Sequence, residues 1–504
     1  MNYKKLGGIL GKIMILEGVL MLFPLLVALI YKEGLRNILS YVIPIGALAI
    51  IGALLQIPKP RREELYQKEA FALVAAVWIV MSLFGAIPFV INRDIPNYVD
   101  AFFEITSGFT TTGASILSDV NISHSSLFWR SFSHWIGGMG ILVFILIFIP
   151  EGKDGSSMHL LRAESPGPQV GKITSKMKVT ARILYLIYLG LTVLEVIVLM
   201  FDKPVAGYEG DKFFISLLTA FGSAGTGGFG IIPNSMELMN PFSQYVIAIF
   251  LILFGVNFTL YYLLLIGKIR QIFKSSELKL YVGLVIGAIG IIFVSLLTKF
   301  QAFPQIYTAE EAFRHSLFQV ASIITTTGYS TTDFNLWPMA ARVTLLVLMF
   351  IGAMAGSTAG GMKVSRIVIA AKGIYINLRK LINPRYVPKA KLEGKPLEEK
   401  TINNVFSFIT LYFFILFGGV FLLSFDPVNG EVVNGLTHGF FSNFSASLAC
   451  LSNIGPGFEA VGPYSSYAGY SAFSKILLSL LMLIGRLEIL PVFVLFNPRT
   501  WKRS

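Results

Sequence analysis

The chain has 504 residues, of which 54% are hydrophobic and only 14% charged, with a mean hydropathy of +0.70. That balance excludes a soluble domain of ordinary composition and points to a polytopic membrane protein. A lone cysteine, Cys450, excludes an intrachain disulfide and a cysteine metal cluster, and the formal net charge of +13 takes its meaning from where the basic residues lie.

Apolar runs long enough to cross about 30 Å of hydrocarbon fall, in chain order, near 12–31, 38–57, 70–91, 127–149, 183–201, 242–266, 280–298, 339–362, 403–424 and 473–496. The first follows Lys4, Lys5 and Lys12 without a small-residue cleavage site and reads as an uncleaved span. Shorter apolar pieces at 97–109, 211–222, 310–324 and 435–451 separate the third span from the fourth, the fifth from the sixth, the seventh from the eighth and the ninth from the tenth. They are too short to cross and predict re-entrant half-helices.

Each half-helix runs into a short polar stretch bearing glycine. These are Phe109-Thr110-Thr111-Thr112-Gly113-Ala114-Ser115, Gly225-Thr226-Gly227-Gly228-Phe229, Thr325-Thr326-Thr327-Gly328-Tyr329-Ser330 and Ser452-Asn453-Ile454-Gly455-Pro456. They recur at intervals of roughly 100–130 residues, the size of a whole structural unit. The expected fold is an all-α polytopic membrane protein. After an N-terminal pair of spans (1–69), four parallel span, half-helix, loop, span repeats (70–182, 183–279, 280–402 and 403–504) surround one pore in a pseudo-fourfold arrangement.

Basic residues test the topology. Lys4 to Lys12, Lys59 to Lys68, Lys153 to Arg182, Lys268 to Lys279, Lys363 to Lys400 and Arg499 to Arg503 all fall on one side, and hold about three quarters of the 41 lysines and arginines. That side is cytoplasmic, with both termini, and the glycine stretches open from the other. The positive charge then serves topology and anionic lipid headgroups rather than nucleic acid.

Polar, non-helical backbone at membrane depth is tolerated only where protein buries it or it lines water. Four such loops meeting on an axis bring carbonyl oxygens to a shared centre, where they can replace the water shell of a cation. Glycine turns successive carbonyls toward that line. The hydroxyls of Thr110, Thr111, Thr112, Thr226, Thr325, Thr326 and Thr327 can add ligands or brace the loops.

Several stretches are similar to the Trk/Ktr/HKT superfamily of potassium transporters. They are Thr110–Ser115, Thr325–Ser330, Ser133-His134-Trp135-Ile136-Gly137-Gly138-Met139-Gly140, Ala355-Gly356-Ser357-Thr358-Ala359-Gly360-Gly361-Met362-Lys363 and Gly485-Arg486-Leu487-Glu488. The N-terminal pair of spans and Leu160-Leu161-Arg162-Ala163-Glu164 resemble its bacterial TrkH branch, in the bacterial inner membrane. The resemblance implies a selectivity filter with glycines at Gly113, Gly227, Gly328 and Gly455. Thr111 and Thr112, Gly225 and Thr226, Thr326 and Thr327, and Asn453 and Ile454 then supply ion ligands. It implies potassium as the transported ion, no organic cofactor, a homodimer with one pore per subunit, and a cytosolic nucleotide-binding regulatory subunit docked on the loops 151–182 and 363–402.

Two features lie on the expected cytoplasmic side of the filter. Four glycines between Gly352 and Gly361 predict a break in span 339–362. The residues fit close helix packing as well as a flexible constriction, and the resemblance implies a gate formed by Gly356, Ser357, Thr358, Gly360 and Gly361. Arg486 lies deep in an apolar run and needs a reason. It either pairs with a carboxylate such as Glu488, snorkels toward the interface or, as the resemblance implies, faces the pore as a barrier the gate loop touches. Asp94, Asp100, Glu104, Asp119, Asp211, Glu310, Glu311 and Asp333 fall around the expected outer mouth, where they either raise local cation concentration or form an ordinary solvated face, and none is assigned to an ion site.

The enzyme signals fail. Gly225–Gly230 matches G-x-G-x-x-G without a βαβ unit, Pro166–Ile173 lacks the first glycine and the Ser/Thr of a phosphate loop, and His124, His134, His159, His315 and His438 lack metal-ligand spacing. Two transport mechanisms stay open: a gated channel-like pore, and a secondary transporter coupling potassium to sodium or protons. Coupling calls for an ionisable group at the ion site, and the four loops contain none.

Overall fold

With no water available to the backbone, an apolar run has to close its own hydrogen bonds, and a helix does so within one segment. The computed structural model describes residues 2–58, 66–140, 177–205, 211–298, 307–383, 391–392, 395–433 and 436–489. Six helices among them are long and apolar enough to cross a membrane: Tyr3–Ile30, Leu35–Gln56, Lys68–Asn92, Val179–Leu199, Ser276–Leu297 and Glu399–Leu423. They match the expected runs at 12–31, 38–57, 70–91, 183–201, 280–298 and 403–424. The chain is thus a multi-pass membrane protein. Polar caps mark the starts: Asn2 accepts from the Lys5 N–H at 3.2 Å, and Ser275 from the Leu278 N–H at 3.3 Å. Two hairpins of two-residue strands, 391–396 and 432–437, are the only sheet among the described residues.

The four half-helices are Tyr98–Phe109, Lys212–Gly225, Ala309–Ile324 and Phe440–Leu451. The second runs on to Gly225 rather than stopping at 222. The fourth starts later than 435 because the second hairpin occupies the chain before it. Thr308 and Glu311 form a reciprocal cap at the start of the third.

The spans following the four loops depart from the expected continuous crossings. The run 127–149 is helical over His124–Gly138, and 141–149 lies outside the described residues. The run 242–266 is two helices, Pro241–Phe254 and Phe258–Leu265, meeting at 91°. Met339–Ile351 covers the start of 339–362, and Ala472–Arg486 the start of 473–496, of which 490–496 lies outside the described residues. Each stop has a local cause. Gly138 ends the first helix; Gly255 ends the next, and Asn257 restarts the chain by accepting from the Thr259 N–H at 2.8 Å. Gly352 takes φ 72°, and Glu488 and Ile489 take φ 58° and 39°. The break anticipated at 352–361 is therefore one of four.

Apolar packing divides into two clusters that share the loops as a border. One gathers around Trp78, Phe89, Phe109 and Trp129, the other around Tyr281, Leu345, Ile369 and Phe408. Phe109, the last residue of the first half-helix, packs edge-on against Trp129 at 5.8 Å, a contact worth ~1 kcal/mol beyond its buried area. His159, the stretch Leu160–Glu164, Pro166–Ile173 and most of the loop 151–182 lie outside the described residues.

Candidate functional site

All four half-helices end in the same backbone pattern. The N–H groups of Thr112, Gly227, Thr327 and Ile454 donate to the carbonyls of Ser107, Gly222, Ser322 and Ala449 at 2.9, 2.9, 2.8 and 2.8 Å. The residue before each is left-handed: Thr111, Thr226, Thr326 and Asn453 have φ of 54°, 53°, 55° and 55°. Such a conformation costs a non-glycine residue ~1–2 kcal/mol, and here that cost recurs four times in one place. The residue after each is a glycine that is also left-handed: Gly113, Gly228, Gly328 and Gly455, with φ of 78°, 71°, 88° and 97°.

That pattern corrects the second loop. Gly228, rather than Gly227, holds the place of Gly113, and the two residues before it are Thr226 and Gly227, not Gly225 and Thr226. The cause is that the second half-helix runs one residue further into the pattern and takes Gly225 as its last residue.

The glycines also show how the loops meet. A Cβ on Gly113 would collide with the Gly227 carbonyl oxygen, one on Gly228 with that of Thr327, and one on Gly328 with that of Ile454. A Cβ on Gly455 would lie 2.6 Å from the Thr112 carbonyl oxygen. Each loop presses against the next and the fourth returns to the first, so the loops form a closed ring. The four oxygens occupy equivalent positions in their loops, as a carbonyl layer requires. Gly113, Gly228, Gly328 and Gly455 line a single cavity of about 150 Å³.

Side chains brace the ring from behind. Thr110 and Thr112 share a hydroxyl hydrogen bond of 2.8 Å, and Thr325 and Thr327 an identical one. Asn453 Nδ2 donates to Thr112 Oγ1 and to the Met482 carbonyl, both at 2.9 Å, joining the fourth loop to the first. The Tyr467 hydroxyl donates to the Gly455 carbonyl at 2.7 Å.

Among the acidic residues expected at the mouth, several are committed elsewhere. Glu104 is buried beneath the first loop, accepts from the Ile116 N–H at 2.9 Å and pairs with buried Arg130 at 2.7 Å. Arg130 reaches on to the Gly230 carbonyl at 3.3 Å and stacks on Phe229 at 4.2 Å, tying the first loop to the second. Asp100 pairs with Lys475 at 2.6 Å, and Glu310 with Arg314 at 2.9 Å.

Arg486 and the segment 352–363 adjoin the ring. Arg486 donates to Thr111 Oγ1 at 3.3 Å, to the Thr358 carbonyl at 3.0 Å, to the Gly138 carbonyl at 2.9 Å, and to the Gly137 carbonyl. Glu488 pairs with Arg366 instead. Gly360 N–H donates to Thr326 Oγ1 at 2.6 Å, so the segment is bonded to the third loop directly and to the first through Arg486. It also enters the bend of the broken span: Met354 N–H donates to the Gly255 carbonyl at 3.2 Å, and Phe258 N–H to the Gly356 carbonyl at 3.0 Å. Of the expected gate residues, Gly356, Thr358 and Gly360 make these contacts, Gly361 lies against Gly352, and Ser357 donates to the Met354 carbonyl at 2.7 Å.

Sequence reasoning passed over two residues here. Glu277 Oε1 accepts from the Ala355 N–H at 2.7 Å and the Ser365 N–H at 3.1 Å, pinning both ends of the segment. Arg130 was available to the argument that singled out Arg486, since an arginine in an apolar run is costly.

A family model described as "TrkH: Cation transport protein" matches residues 40–503. The potassium uptake protein TrkH of Salmonella typhimurium is 34% identical over 510 residues, covering 100% of both chains. TrkG of Escherichia coli is 30% identical over 490 residues, covering 96% of this chain and 95% of its own. The crystal structure of the potassium transporter TrkH from Vibrio parahaemolyticus superposes with a TM-score of 0.83 at 30% identity, covering 100% of both. With its fold and its sequence matched along their whole length, the chain belongs to the TrkH family of cation transport proteins.

Proposed function

We propose that this chain is the ion-conducting subunit of a Trk-type potassium uptake system, working as a gated, channel-like, potassium-selective pore. The observation that carries the reading is the closed ring in which equivalent carbonyls of Thr112, Gly227, Thr327 and Ile454 each abut the next loop. Relatives named as potassium uptake proteins support potassium as the ion. The corrected ligand set is Thr111, Thr112 and Gly113; Thr226, Gly227 and Gly228; Thr326, Thr327 and Gly328; Asn453, Ile454 and Gly455.

Ions pass from the cavity through the ring down their electrochemical gradient. The segment 352–363 and Arg486 then close the path on the cytoplasmic side. A guanidinium beside the pathway repels a cation, and the interaction is strong where water is excluded. In this reading the chain sits in the bacterial inner membrane as a homodimer with both termini cytoplasmic. The four units 70–182, 183–279, 280–402 and 403–504 each contribute one loop. A cytosolic nucleotide-binding subunit docks on the basic loops and moves the segment 352–363.

The test is the reversal potential of the purified protein in planar bilayers under separate potassium, sodium and pH gradients. A potential that follows potassium alone is expected. One that shifts with the sodium or proton gradient at fixed potassium would replace the pore with a coupled transporter.

A further inference from the structure

The second loop lacks the threonine pair that braces the first and third. In those loops the positions are Thr110 with Thr112 and Thr325 with Thr327, each pair bonded hydroxyl to hydroxyl at 2.8 Å. The backbone register puts Gly225 and Gly227 in the corresponding places, so the second loop has no hydroxyl at either. One residue from another segment explains both glycines. A Cβ on Gly225 would collide with the carbonyl oxygen of His134, and a Cβ on Gly227 with its imidazole.

His134 lies on the helix His124–Gly138, which follows the first loop, and is fully buried. Its Nδ1 is 2.9 Å from the Gly108 carbonyl oxygen, so Nδ1 carries the proton and donates. That same carbonyl accepts from the Thr111 N–H at 3.1 Å. The other face of the ring packs on Phe229 at 4.3 Å, just beyond Gly228. The imidazole is therefore wedged between two neighbouring loops. Its donor side is fixed to the first, and its bulk is fitted to the glycines of the second.

We propose that His134 is a positioning residue that determines ion specificity, its imidazole standing in for the absent threonine pair of the second loop. It holds the Gly227 carbonyl in the layer completed by Thr112, Thr327 and Ile454. Through Gly108 it also steadies the turn at Thr111. A pore with three self-braced or cross-braced loops and one loop braced from outside keeps four equivalent oxygens without four equivalent sequences. The inference rests on the reading of the ring as a potassium filter.

The experiment compares potassium and sodium tracer uptake into liposomes by the full chain and four variants. His134→Leu fills the volume without a donor, and His134→Asn keeps a donor near the Nδ1 position. We expect H134L to lower the potassium-to-sodium ratio about tenfold, the scale of losing one buried hydrogen bond, and H134N to stay within about twofold of wild type. A folded H134L with the wild-type ratio overturns the proposal and leaves His134 as packing. Gly227→Ala alone should abolish uptake, and H134N/G227A should regain it because the smaller side chain frees the space. Equal loss in both overturns the proposal even where H134L fails to fold. Wild-type protein that does not distinguish potassium from sodium would instead sink the filter reading itself, a different result from either.

Discussion

The ring of four loops and the segment 352–363 are built from similar residues, rich in glycine, serine and threonine, yet they are held in opposite ways. The backbone bond that turns each half-helix into its loop recurs in all four, and each loop is the wall of the next. The segment has no counterpart among the described residues. Its partners are scattered: Glu277 from one span, Gly255 from a bend, Thr326 from a loop and Arg486 from the last helix. Net hydrogen bonds are worth about 1 kcal/mol each, so a structure held by a few unlike ones can be released by moving one neighbour. Repetition gives the ring a fixed geometry, whereas the segment rests on single, unlike bonds, which suits the opening proposed for it.

The most damaging way to break that contrast is Gly328→Ser. The side chain would need φ near 88° and would collide with the Ile454 carbonyl and with Pro456 Cδ at 2.6 Å. Left-handed strain alone costs ~1–2 kcal/mol, and the fourth loop has to move as well. The potassium-to-sodium permeability ratio should fall more than about tenfold, with the melting temperature lowered. An unchanged ratio in folded protein would show that the ring does not select. Gly113→Ser should behave alike, since its Cβ meets the Gly227 carbonyl.

Arg486→Ala cuts the link between the segment and the first loop. It removes a half-buried positive charge and the bonds to Thr111, Thr358, Gly137 and Gly138. Flux without any regulatory partner should rise by about tenfold while the ion ratio changes little. Shortening Ala355–Gly361 should do the same. Flux that stays at the wild-type level in folded variants would reduce both to packing elements.

How much of this was legible beforehand follows the same division. The half-helices, the third loop and the break at Gly352 are written in local composition: short apolar pieces, threonine runs, four clustered glycines. The bend at 255–257 is not. It has one glycine and one asparagine in an apolar run, and its freed groups find partners in Met354 and Gly356, a hundred residues away in sequence by about that measure. The register of the second loop was missed for a similar reason. Three candidate glycines at 225, 227 and 228 look equivalent until His134 is in place. Local rules identified the elements, and distant contacts chose between near-equal local options.

Thr326 belongs to both regions and sharpens the contrast further. Its left-handed backbone repeats the ring pattern, while its hydroxyl accepts the Gly360 N–H of the segment. Thr326→Val keeps the shape and removes the acceptor, leaving a buried N–H unpaired at a cost of ~1–3 kcal/mol to the closed state. Unstimulated flux should rise about fivefold with the permeability ratio kept, measured in the same bilayers. A fall in the ratio without a rise in flux would place Thr326 wholly in the ring and remove the direct link between the two regions.

The smallest effect is expected where a glycine belongs to neither region. Gly287 lies in the middle of the span Ser276–Leu297 with a negative φ, and a Cβ there would meet nothing within 4 Å. Alanine is the better helix former by ~1 kcal/mol in water, an upper bound inside a membrane helix already held by its surroundings. Gly287→Ala should therefore leave flux and selectivity unchanged and hold or slightly raise the melting temperature. The same substitution at Gly328 meets two neighbouring loop atoms and should fail on all three measures. If the two alanine variants behave alike, glycine matters here for backbone freedom in general and not for the contact between loops. If they differ as expected, the requirement belongs to the places where one loop is the wall of the next.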